Sequence, residues 1–138
     1  MAGLQILHPP VTRVDKGHRV PFLLLDAWVA VYQALCFRAW GIRRVRRRPY
    51  FVVDRHKLAY LNGIEKVNGL FCSYANGLIA YVREVAARTE QYWCPIKHAR
   101  AWRDPHSRYG TFVDYGDAEG YRRDQPNLRR DLVRTSSR

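Results

Sequence analysis

The stretch Q-Y-W-C-P-I-K-H-A-R-A-W, residues 91–102, holds the residues best suited to chemistry. Cys94 and His98 are four apart. On a helix their thiolate and imidazole fill two corners of a tetrahedral zinc site. The same pair could form an activated thiol nucleophile. Pro95 suits the first position of a short helix predicted over 95–103, which makes Cys94 its N-cap. A thiol there faces free backbone N–H groups and the positive end of a helix dipole. Lys97 stands where a W-C-x-x-C motif needs its second cysteine, and no strand precedes Cys94, which argues against a thioredoxin-like redox site. Cys72 completes a candidate metal set of Cys72, Cys94 and His98, with His56 and Cys36 as additional candidates and zinc as the implied ion. The plainer reading makes Cys94 a small buried residue and His98 a hydrogen-bonded one.

These residues need elements to position them. L-I-A-Y-V-R-E-V-A-A-R-T-E-Q-Y-W, residues 78–93, has Leu78, Tyr81, Val82, Val85, Thr89 and Trp93 in helical register. Asp54 can cap a preceding helix over 54–68. The glycines and Asn76 of residues 69–77 predict a turn between the two, hence an antiparallel helical hairpin. A straight helix over 77–92 is about 24 Å long, so Cys72 and Cys94 could share an ion only if that helix breaks. Otherwise the hairpin carries Cys94 and His98 toward Asp54 and His56, with Cys36 close by.

V-P-F-L-L-L-D-A-W-V-A-V-Y-Q-A-L-C-F, residues 20–37, has Asp26 and Gln33 as its strongly polar residues. Pro21 suits the first turn of a helix. Arg19, Asp26 and Gln33 are spaced by seven and fall on nearly one line; the rest of the circumference is apolar. Directly after it come Arg38, Arg43, Arg44, Arg46, Arg47 and Arg48, with no acid among them. An apolar helix joined to an arginine cluster is a membrane pattern. A full span needs about 20 apolar residues, and Asp26 interrupts this one. Residues 20–40 therefore read as a helix lying in, or obliquely entering, the cytoplasmic face. The competing reading is a soluble core helix followed by a solvated charge run.

The 138 residues are one domain by length, and 47% hydrophobic with 13% aromatic content is enough to collapse. The net charge of +12 favours anionic partners, either phospholipid or nucleic acid. Three cysteines at these spacings do not make a secreted disulfide framework. The first 19 residues make a poor signal peptide and read as a mobile arm. Residues 41–120 form the expected helical Cys/His domain. Asp114, Asp117 and Glu119 read as a solvated acidic loop. Residues 121–138, with six arginines, read as a disordered basic tail.

The blocks D-R-H-K-L-A-Y-L-N-G-I-E-K-V-N, F-C-S-Y-A-N-G-L-I-A-Y-V and F-V-D-Y-G-D-A-E-G-Y, with the Y-W-C-x-x-K-H segment, resemble a family of small uncharacterised bacterial proteins. The resemblance runs from about residue 20 to residue 120. It implies a hydrophobic N-terminal segment and a C-x-x-C pair before a Y-x-N-G turn, and no particular reaction. This chain departs from it at Gly69, where the first cysteine of the pair would stand.

The expected fold class is all-α: an apolar N-terminal helix, a helical hairpin, a short third helix and a basic tail. The expected function is that of a non-enzymatic, membrane-peripheral protein with a structural Cys/His site, bound to anionic lipids through the arginine run. Two alternatives remain. One is a nucleic-acid binder without sequence preference, using the same arginines on phosphates. The other is a thiol enzyme using Cys94 and His98, for which no oxyanion or substrate-pocket pattern is visible.

Overall fold

The structure, a computed structural model, describes residues 12–53, 57, 59 and 63–134. It is all-α with an apolar N-terminal helix; the isolated bridge Ile96–Val113 is the nearest thing to a strand among the described residues. Helix α1 (Thr12–Tyr32) passes through a π-helical turn, Gln33–Phe37, into one short turn, α2 (Arg38–Trp40). Gly41 ends this rod at φ 70°, a left-handed cap that favours glycine. Helix α3 (Gly63–Trp93) is the longest element, and α4 (Ala118–Arg134) closes the fold.

Contacts give the directions. Phe22 meets Phe71, Asp26 meets Tyr74 and Trp40 stacks on Tyr92, so α1 and α3 run the same way. Gln91 donates to the Leu128 carbonyl and Arg129 to the Tyr92 carbonyl, while Leu132 sits beside Arg88; α4 therefore returns antiparallel to α3. The core lies where α1, α3, α4 and the extended residues 42–46 converge. Phe37 and Leu78 are fully buried there, with Val29, Ile42, Val45, Tyr81, Val85 and Leu132 around them.

Four expectations change. Residues 69–77 are not a turn, because α3 runs through them without a break; the antiparallel pair is α3 with α4. The two turn signals do other work. Asn76 satisfies its side chain on the Cys72 carbonyl one turn back. Gly77 is buried where the Tyr50 backbone comes so close that a Cβ would collide with it. Residues 95–103 contain no helix. Instead Lys97 N–H donates to the Val113 carbonyl and Val113 N–H to the Pro95 carbonyl, 2.7 and 2.8 Å, so tertiary pairing overrides local preference. Residues 121–134 belong to α4 rather than a disordered tail, because Leu132 enters the core and Asp117 caps the helix through Gly120 N–H at 2.8 Å. Residues 12–19 are helical rather than a mobile arm, which puts Pro21 inside α1. Asp54, His56, most of the predicted 54–62 segment, and residues 1–11 and 135–138 lie outside the described residues.

Candidate membrane-facing surface

Helix α1 is built inside out. Its polar line of Arg19, Asp26 and Gln33 faces α3. The Arg19 guanidinium lies 5.5 Å over the Phe71 ring. Asp26 accepts two bonds from Arg47, at 2.5 and 2.7 Å, and one from the Tyr74 hydroxyl at 2.7 Å. Gln33 is buried; its amide donates to the Tyr81 hydroxyl and its oxygen accepts the Val45 N–H at 2.9 Å. The π turn that begins at Gln33 adds a residue to the helical path, and Phe37 within it reaches the core. Asp26 and Gln33 are therefore satisfied on the protein side, whereas the Arg19 Nε is buried without a hydrogen-bond partner.

The outward face is apolar. Val20, Leu23, Leu24, Trp28, Val31 and Leu35 are all exposed, Leu24 at 66% and Trp28 at 72%. Their spacing follows one stripe of the helix. Arg19–Trp40 is long and apolar enough to cross a membrane, and 17% of its apolar window is buried. A core helix of a soluble domain hides most of such a window; this one does not. That is an exposed apolar patch of the kind that marks an interaction surface.

The charges beside it are arranged by Arg47 and Asp26. Arg47 holds the Asp26 carboxyl below its ordinary value, against burial, with Tyr74 adding to the effect. Burial and the bond to Asp26 push Tyr74 up to about 12. Arg47 also lies 4.8 Å over the Phe51 ring and 5.4 Å over Tyr81. It is thus committed to the fold although, like Arg38, Arg44, Arg46 and Arg48, it remains exposed. Arg43 is half-buried, its backbone tied to Leu132 and Arg88.

The strap of residues 94–117 is bound to α3 by a second polar group. Burial raises the Glu84 carboxyl, but bonds from Arg108 and Arg88 outweigh it and leave the group below its ordinary value. His106 bonds Glu90 at 2.9 Å inside a ring of Trp102, Tyr109 and Phe112.

The structure separates the predicted site residues. Cys72 and Cys94 are 22 positions apart along an unbroken helical path, since Cys94 N–H still bonds the Glu90 carbonyl at 2.8 Å. That is about 33 Å, so Cys72, Cys94 and His98 do not meet. His98 packs on Tyr109 and Trp102. Cys36 lies in the π turn. Cys94 follows the C-terminal end of α3, so the helix N-terminus that was to activate its thiol is absent. No group of three Cys, His, Asp or Glu side chains able to hold an ion occurs among the described residues; His56 is outside them.

Sequence reasoning missed Arg47 as the partner of Asp26 and Tyr74 as its third ligand. The spacing of Arg19, Asp26 and Gln33 was the available signal, read as a line but not as the inner one. Asp117 as the cap of α4 was also legible, followed as it is by Glu119 in the first turn. Comparison of the chain with family models, with curated proteins and with solved structures finds no match.

Proposed function

We propose that this protein is a non-enzymatic, membrane-peripheral protein whose α1 lies in the headgroup region of the cytoplasmic leaflet, apolar face down. The observation that carries the reading is the inversion of α1: Asp26, the acid within its apolar stretch, is paired inward and its apolar stripe is left outside. Burying each exposed side chain of that stripe in lipid contributes about 1 kcal/mol, taking half of a full transfer. Exposed arginines near an anionic surface add about 1 kcal/mol each. The two terms together favour anionic bilayers, and the cytoplasmic leaflet is the anionic one.

Flotation of the full chain with phosphatidylglycerol-containing and with purely phosphatidylcholine vesicles tests this. Binding to the anionic vesicles is expected, reduced but not abolished by high salt, because only the arginine part is screened. Leu24→Glu and Trp28→Glu change exposed positions and should abolish flotation while the helical content stays the same. A protein that remains monodisperse at low salt and ignores both vesicle types sinks the reading. Retention on an oligonucleotide at physiological salt, without flotation, would hand the arginines to nucleic acid.

A further inference from the structure

A groove of about 400 Å³ runs between α1 and α3, from Trp28 to Cys94. Along α3 it extends from Val82 to Cys94, about 18 Å at 1.5 Å per residue. Its lining is almost wholly hydrocarbon and aromatic, and its few polar groups are already used. The Thr89 hydroxyl donates to the Val85 carbonyl at 3.0 Å and is 2.9 Å from the Tyr32 hydroxyl. The Glu90 carboxylate is engaged by His106. With the Thr89 and Tyr32 hydroxyls engaged, the remaining surface is mostly hydrocarbon and ring, which suits a hydrocarbon chain.

The two ends differ. Trp28 belongs both to the groove and to the exposed face of α1, so that end opens where a bilayer would lie. At the other end Trp93 packs with Trp40 and Tyr92, and the Arg129 guanidinium lies 5.9 Å over Trp93 and 4.9 Å over Tyr92. Arg129 bonds the Tyr92 carbonyl and, with the Gln125 amide turned, the Gln125 side-chain oxygen at 2.6–3.0 Å; both acceptors are uncharged, so neither neutralises its positive charge. Aromatic rings beside a cation are the usual furniture of a membrane–water boundary.

We infer that this groove holds one acyl chain of an anionic phospholipid taken from the bilayer, with the headgroup phosphate beside Arg129. The inference rests on the membrane reading above and adds a specific lipid site to it. The continuity of the groove with the α1 face selects a bilayer lipid over a soluble one, and Arg129 selects an anionic headgroup.

The test uses the full chain on vesicles containing a phosphatidylglycerol with a photoactivatable diazirine in its acyl chain. Labelled peptides are mapped by mass spectrometry, and flotation is scored in parallel. Label is expected within residues 82–94. Ala86 is exposed and lines the groove, so Ala86→Trp should fill it, leave the core alone, and take that label to background without changing flotation. Arg129→Gln should remove the preference for the anionic probe over its phosphatidylcholine counterpart. Label confined to residues 20–35 on a floating protein overturns the groove and leaves the membrane reading intact. Absent flotation overturns both. Equal labelling by a diazirine fatty acid without vesicles assigns the groove to a soluble amphiphile instead. A solution dimer that Ala86→Trp dissociates assigns it to a second copy.

Discussion

Replacing Arg47 by Met removes the partner that allows an acid to sit on the apolar helix. Two charge-assisted bonds to Asp26 are lost, and the guanidinium leaves the Phe51 and Tyr81 rings. Breaking a fully buried pair from one side costs about 3–5 kcal/mol, and an exposed pair about 0–1. The side chains here are 17% exposed for Asp26 and 43% for Arg47. Solvent screening of Arg47 therefore pulls the cost well below the buried limit. We expect about 2 kcal/mol in all, with the ring contacts contributing about 0.5–1 of it. For a chain of this size that lowers Tm by about 6–10 °C. The assay is thermal unfolding of Arg47→Met, Asp26→Asn and the double variant in one mild detergent. The double variant should be less destabilised than the sum, by about 1 kcal/mol or more. Additivity within about 0.3–0.5 kcal/mol would refute the reasoning, because it would mean the two side chains do not interact. The pH dependence carries the same sign. Asp26 is held low by Arg47 in the folded state. Its stabilisation is present above the unfolded carboxylate value, about 3.9, and is lost as pH falls through the lower folded one. Stability should thus decline below about pH 4, and Asp26→Asn should flatten that decline.

Leu132→Ala should cost about 2–5 kcal/mol in denaturant unfolding, as a buried leucine does; a neutral result would make residues 121–134 the loose tail their composition suggests. Gly77→Ala should destabilise by about 1–3 kcal/mol despite alanine's better helix propensity, because the new methyl meets Tyr50 backbone that cannot swing aside. A gain in Tm would show that the approach is looser than described. Cys72→Ser should leave any zinc affinity of the chain unchanged in a chelator-competition titration. A loss would require α3 to break between Cys72 and Cys94.

Period and propensity were legible along much of the chain. The register of Leu78, Tyr81 and Val85 placed the buried face of α3, and all three are in the core. The apolar helix was legible too, because 18 residues with two strongly polar positions admit little else. The break predicted at 69–77 failed for a specific reason. Glycine and asparagine mark turns when the backbone needs their freedom, but Gly77 serves close packing and Asn76 bonds within the helix. Helix α4 was obscured by its arginines and by Pro126, since only Tyr121, Leu128 and Leu132 carry its inward stripe. The candidate metal set failed because identity and spacing say nothing of where an unbroken helix will carry its two ends.

By itself the sequence determined composition-level facts: a helical chain, a strongly cationic surface, one apolar helix, and a polar line of Arg19, Asp26 and Gln33 along it. Helical periodicity is local, and each of these follows from neighbours within a few turns. Which side of α1 faces inward was decided only in three dimensions. A helix wheel shows a polar line and an apolar arc but not what each will meet. Arg47, Tyr74 and Tyr81 come from 21 to 48 residues away to satisfy Asp26 and Gln33 on that line. With that line paired inside, the apolar arc is left on the surface.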